Sequence, residues 1–386
     1  MKVTHLGTGL WAWLSVFQLA AQAAGIFDIR LASEFSRIVD TNETLTVLGS
    51  GYGWIEGPVW VPQQGGYLIF SDQTNKRMYK WSPTNGITSY RNPSNNANGN
   101  TLDLNERLIT CETDTRRVVL TDTNGVISTL VDRYNTKTFN APYDVVVKSD
   151  GTVWFTDPNY GSGQTQPGRY VYRFNPTNGN GTVTAVATDF TNPNGLCFSP
   201  DESLLYIADS DTSKHHIRVF DVLPDNTLAN GRLFVTITNG VPDGIRCDVD
   251  GRVYSSSANG VHIFMPDGRL VGRIIITNTV ANLCFGGADW RTLFIVAQPK
   301  VYSLRLKVAG TPAMKKLQFS AAPARLNLSW PAPSTGFQLE STRGLGPGGV
   351  WVAVPESPAV SNGLNTVVVH TTNSAAFYRL CLYQSD

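Results

Sequence analysis

A short frame recurs six times in this chain and sharply limits what the chain can fold into. Each copy opens with an oxygen-bearing side chain, reaches a turn residue seven positions later, and continues into an apolar strand-like run. The clearest copy leads from Asn194 to Asp201 and then into Leu204-Leu205-Tyr206-Ile207-Ala208-Asp209. The others run from Glu56 to Gln63, Asn98 to Asn105, Tyr143 to Asp150, Asp243 to Asp250, and Asn282 to Asp289. The leading residues are 42, 45, 51, 49 and 39 positions apart, the range of a four-stranded propeller blade. The expected fold is therefore all-β, with a six-bladed β-propeller over residues 51–309.

A closed ring of such units has a geometric consequence. The innermost strand of each blade lines a central channel, so its first residue sits at the channel mouth. Glu56, Asn98, Tyr143, Asn194, Asp243 and Asn282 should converge there. A channel that served packing alone would not need an oxygen at every one of these positions. Glu56 also lies among apolar neighbours in Trp54-Ile55-Glu56-Gly57-Pro58-Val59-Trp60, and a carboxylate in such surroundings needs a partner, which a metal ion can supply.

The flanking segments read differently. Residues 1–23 have the features of a secretory signal: Lys2, an apolar stretch from Leu10 to Ala20, and the small-residue site Ala21-Gln22-Ala23. The mature protein is then secreted or periplasmic and has no membrane segment, a retained anchor being the alternative. Residues 24–50 are weakly patterned except for Glu43-Thr44-Leu45-Thr46-Val47-Leu48, a strand expected to complete the last blade beside Val301 to Leu306 and remove an exposed edge. Residues 316–386 hold five short β-rich runs punctuated by Pro and Gly, expected to form a small C-terminal β-sandwich. Trp330 and Trp351 there are read as core residues, with carbohydrate binding the alternative.

Charge and cysteine content exclude several classes. Only 16% of residues are charged and the net charge is +1, so there is no basic face for nucleic acid. No G-x-S-x-G elbow and no zinc-spaced histidine pair occurs. Cys197, Cys247 and Cys284 follow their leading residues closely and should lie on successive inner strands, within reach of a bridge. Asp72, Glu112, Asp157 and Asp209 each end a second strand, and this repetition fits turn capping better than four separate catalytic acids.

Several segments also carry a family resemblance. Glu56-Gly57-Pro58-Val59-Trp60, Phe139-Asn140-Ala141-Pro142-Tyr143-Asp144, Trp154-Phe155-Thr156-Asp157-Pro158-Asn159-Tyr160-Gly161, Asn192-Pro193-Asn194-Gly195-Leu196 and Pro242-Asp243-Gly244-Ile245 resemble, in order, segments of the senescence marker protein / gluconolactonase / luciferin-regenerating enzyme family. The resemblance implies a divalent cation at the propeller axis, calcium foremost, held by Glu56, Asn194 and Asp243. It also implies Asp243 as general base, and Tyr143, Asn140, Asn98 and Asn282 on the substrate side. Two departures stand out. Tyr143 occupies the place of a second asparagine, and Arg116-Arg117 lacks the histidine that usually accompanies it.

Two functions follow. The first is a secreted, metal-dependent hydrolase that opens a small sugar-like lactone and works as a monomer. The second is a non-catalytic propeller that binds a ligand in the same metal channel.

Overall fold

In the computed structural model, the described residues are 25–160, 163–176, 181–311, 317–322, 324–331, 337–344, 350–361, 364–370 and 376–382. The signal segment expected over 1–23 lies outside them. No helix among the described residues is long and apolar enough to cross a membrane.

Residues 55–305 form six consecutive antiparallel sheets, and each leading residue falls in or just before the first strand of its sheet. Those first strands are Ile55–Val61, Ala97–Leu102, Val145–Val147, Pro193–Phe198, Ile245–Cys247 and Val280–Gly286. Each touches the next in order, and the sixth touches the first, so they form a complete circuit. Within a sheet the strands follow chain order outward from that circuit.

The apolar pattern explains why the units pack side by side. Strand side chains alternate between faces, and here both faces are buried against neighbouring sheets. Along Leu204–Asp209, Leu205 and Ile207 pack with Trp154 and Val171 of the third sheet. Tyr206 turns the other way, into a cluster with Ile245 and Val253 of the fifth. Leu293 and Ile295 likewise face the fifth sheet, and Phe294 and Val296 face the first, where Phe294 stacks on Trp60 with 5.3 Å between ring centroids. The core is thus divided into wedges between sheets, and the centre is left to polar residues.

The strand expected over Glu43–Leu48 lies further along the chain, since Glu43–Leu45 are not in a strand. Thr46–Ser50 pairs antiparallel with Lys300–Arg305 as the outermost strand of the sixth sheet. Two further elements in this segment were not legible beforehand. Phe27–Ile29 adds a fifth strand to the fifth sheet, and a helix over Ala32–Ile38 joins the two. A helix this short is not stable by propensity alone. It is held by Phe35 and Ile38, both buried in the cluster between the fifth and sixth sheets.

Cys197 and Cys247 lie on neighbouring first strands with their sulfurs 3.6 Å apart, both buried and both free thiols. Cys284 is also on a first strand, but it packs toward the first sheet.

The C-terminal region contains two sheets. One is ordered Gln318–Ala322, Arg325–Pro331, Leu364–His370, Ala359–Ser361, and the other Val352–Ala353, Phe337–Thr342, Phe377–Leu382. They share a core of Leu328, Trp330, Leu339, Val367 and Leu380. Trp330 is buried in it, as a packing residue should be. Trp351 lies under the Arg379 guanidinium, 4.3 Å from the ring centroid.

Candidate active site

The six leading residues are all buried although all are polar or ionisable. Close approach of successive first strands brings them together, and glycine makes that approach feasible. A Cβ on Gly57 would lie 2.0 Å from the Asn98 carbonyl oxygen, and one on Gly195 would lie 2.1 Å from that of Asp243. Gly57 also has φ of +50°, a conformation that side-chain-bearing residues rarely adopt.

Three side chains form the centre of the site. Asp243 faces both the Glu56 carboxylate and the Asn194 amide. Glu56 is held from two directions: the Trp54 indole Nε1 donates to its Oε1 at 3.1 Å, and Asn282 Nδ2 donates to its Oε2 at 3.2 Å. Asn282 is itself fixed, because its Oδ1 accepts from the Leu283 backbone N–H at 2.8 Å. Asn194 Nδ2 donates to the Tyr160 hydroxyl at 3.2 Å.

The electrostatics are unfavourable by construction. Burial raises the Glu56 carboxyl to about 7, opposed in part by the Asn282 hydrogen bond and reinforced by the charge of Asp144. Asp243 is pushed well above the usual carboxylate range, first by burial and then by Glu56 and Asp144. Two carboxylates sharing one desolvated site cannot both ionise without a cation. One counter-charge is nearby: Arg246 Nη1 donates to Asp144 Oδ2 at 3.3 Å and to the Ile245 carbonyl at 2.7 Å. Its guanidinium is therefore committed to Asp144 and the Ile245 carbonyl.

Buried polar atoms without partners show what the site lacks. Asp243 Oδ1, Asn194 Oδ1 and both amide atoms of Asn98 have no hydrogen-bond partner. Unpaired buried oxygens are costly, and two of these three oxygens sit beside the repelling carboxylates. Carboxylate and amide oxygens are hard donors suited to calcium, which takes six to eight oxygens, and leave room for water and substrate. Among the described residues no group of three or more His, Cys, Asp or Glu is arranged to hold a metal. The donors that fit a cation here are two carboxylates and an amide.

Above these residues a cavity of about 450 Å³ opens, lined by Trp54, Gln73, Tyr143, Tyr160, Ser210 and Val241 together with Asn194 and Asp243. Tyr143 lines this cavity with its ring 4.7 Å from that of Tyr160. Asn98 lies beside the Tyr143 phenol.

Asn140 is placed differently from the substrate-side position expected for it. Its Oδ1 accepts from the backbone N–H groups of Thr165 and Gln166, both at 2.9 Å, and its Nδ2 donates to the Gly168 carbonyl at 2.9 Å. It props the loop around 163–168 and does not line the cavity. Arg116 Nη1 likewise donates to the carbonyls of Phe139, Asn140 and Gly163.

The acids that end second strands act as expected, and they do more than cap a turn. Asp157 accepts from the backbone N–H of Asn140 and Ala141, at 2.9 and 2.7 Å. Asp209 accepts from those of Thr191 and Asn192, at 2.9 and 2.8 Å. Asp72 accepts from that of Gly53 at 3.2 Å. Each thereby fixes the loop that delivers its own sheet's leading residue to the centre. Glu112 departs from this pattern and pairs with Arg91 and Arg117.

Trp54 and Tyr160 were not singled out beforehand as site residues. Trp54 precedes Glu56 by two positions, the strand period that puts both side chains on one face. Tyr160 lies three residues after Asp157 in a segment that already carried the family resemblance.

The gluconolactonase of Zymomonas mobilis subsp. mobilis is 31% identical over 313 residues, covering 73% of this chain and 86% of that one. The solved structure of a gluconolactonase from Xanthomonas campestris is 32% identical, with a TM-score of 0.68 over 72% of this chain and 94% of that one. Regucalcin from Agrobacterium tumefaciens, a calcium-binding protein, is only 18% identical but shares the β-propeller fold, with a TM-score of 0.60 over 70% of this chain and 97% of that one. A family profile described as SMP-30/Gluconolactonase/LRE-like region matches residues 54–298, and the chain belongs to that family.

Proposed function

We propose that this chain is an exported lactone hydrolase that opens a sugar-like lactone at a divalent cation on the axis of a six-bladed propeller. The observation that carries this reading is the pairing of two repelling buried carboxylates with the unpartnered oxygens of Asn194 and Asp243. Gluconolactonase is also the activity named for two relatives that match this chain over most of its length. Glu56, Asn194 and Asp243 would hold the cation, with calcium favoured by the all-oxygen donor set. When bound, the cation supplies Lewis-acid polarisation of a carbonyl.

The remaining chemistry belongs to the chain. Asp243 lines the cavity and is the base that takes a proton from the attacking water, then returns it to the ring oxygen as the lactone opens. Burial raises its basicity, which a carboxylate in bulk water would lack. Trp54 and Asn282 fix the Glu56 carboxylate, and Tyr143 and Tyr160 wall the substrate side. Residues 316–386 act as a small sandwich beside the propeller. Export predicts a mature N-terminus at Ala24 or Gly25, and recovery of the mature protein with Met1 intact would rule that out.

Rates of lactone opening, measured with calcium and with chelator, test the activity. The wild type should be active only with the cation. Tyr143→Asn puts an amide where a phenol now stands, so it should tighten calcium binding several-fold by calorimetry. An inactive wild type beside an active Tyr143→Asn would favour the binding-only alternative.

A further inference from the structure

The wall of the cavity indicates what kind of lactone fits. Trp54, Tyr143 and Tyr160 present three aromatic side chains to it, and Val241, Ala258 and Val280 add aliphatic surface. Trp54 and Tyr160 are each 38% exposed, although most large apolar residues of the six sheets are buried. Such exposure at a concave site marks a surface that a ligand covers.

The polar inventory is correspondingly thin. Among the described residues no Arg, Lys or His lines the cavity. Asn194 and Asp243 are committed to the centre, and Ser210 Oγ donates to the Pro242 carbonyl. Gln73, Thr279 and the two phenols remain, and the Tyr160 hydroxyl already accepts from Asn194 Nδ2. A bare polyhydroxylated ring would leave several hydroxyls facing carbon in such a pocket, and an unpaired buried hydroxyl is strongly disfavoured. The cavity volume of about 450 Å³ also falls within the roughly 300–1,000 Å³ that accommodates drug-sized ligands.

We infer that the preferred substrate is a lactone bearing an aromatic or broad apolar substituent, which packs against Tyr160, Tyr143 and Trp54 while the lactone carbonyl faces Asp243. This rests on the lactone-hydrolase reading above and keeps its reaction, but replaces the sugar-like substrate with an apolar one.

The test compares lactones that share a reacting ring and leaving oxygen: 4-phenyl-δ-valerolactone and unsubstituted δ-valerolactone, with glucono-1,5-lactone as the polyhydroxylated reference. With calcium present, the wild type should favour the phenyl lactone over the unsubstituted one by about tenfold in kcat/KM, the scale of one ring withdrawn from water. Tyr160→Ala should remove most of that preference. Tyr160→Phe should keep it, because the ring stays and only the hydroxyl beside Asn194 is lost. A phenyl preference indistinguishable from one overturns the inference, as does a preference that survives Tyr160→Ala or is lost equally in Tyr160→Phe. Efficient opening of glucono-1,5-lactone in preference to both others overturns it too, while leaving the hydrolase reading intact. If none of the three is opened, the hydrolase reading fails and this inference fails with it.

Discussion

Asp243→Asn is expected to abolish lactone opening and, in the metal-free protein, to raise the melting temperature. The first effect follows because the substitution removes both the base and a unit of charge from the cation site. A loss of about a thousandfold in kcat/KM is the scale of a missing general base. The second effect follows from the repulsion between Glu56 and Asp243, both buried, with Glu56 pushing the Asp243 carboxyl further above its usual range after burial itself. An asparagine there is neutral, and its amide can donate to the Glu56 carboxylate. The site would thus give up stability for function, as strained active sites commonly do. Calorimetry in chelator at pH 8, run beside the activity assay, checks both halves. Residual activity above a tenth of wild type would remove Asp243 from the role of base, and a lowered melting temperature would show that the repulsion is not the dominant effect.

The second large effect is a dependence of metal-free stability on pH. A carboxyl whose folded pKa is raised binds protons more tightly folded than unfolded. Its contribution is complete below the unfolded value and disappears as pH rises through the folded one. For Glu56 the window runs from its ordinary 4.5 to about 7, and Asp243 extends the decline higher. By linkage, Glu56 alone accounts for about 3 kcal/mol over that range. Melting temperatures in chelator should therefore fall between pH 5 and 8, and saturating calcium should flatten the curve by supplying the missing counter-charge. Equal slopes with and without calcium would place the cation elsewhere.

The repeat made the centre legible. Six leading residues at a fixed offset from a turn identified Glu56, Asn98, Tyr143, Asn194, Asp243 and Asn282, because strand geometry repeats wherever the frame repeats. What the frame could not show were contacts made by side chains outside it. Asn140 sits in a motif-like segment, yet a loop returning from Thr165 and Gln166 takes up its hydrogen-bonding capacity. The Asp144–Arg246 pair joins residues 102 positions apart, and nothing local in the sequence announces it. The helix over Ala32–Ile38 was missed for the same reason, since its stability comes from the sheets beneath it.

The strand Thr46–Ser50 acquires a mechanical meaning from where the carboxylates lie. Glu56 belongs to the first sheet and Asp243 to the fifth, and between them stands the sixth, whose outer edge this strand completes. Glu56 also sits only a few residues beyond the strand, so the chain that seals the sixth sheet leads directly into the first carboxylate. The two carboxyls meet where the first strands form their circuit, so their spacing depends on how the fifth, sixth and first sheets are held together. The N-terminal segment pairs with the fifth sheet through Phe27–Ile29 and with the sixth through Thr46–Ser50, and so acts as a clasp across the two. By tying the fifth sheet to the sixth, beside the first, the segment keeps the two carboxylates in register with each other.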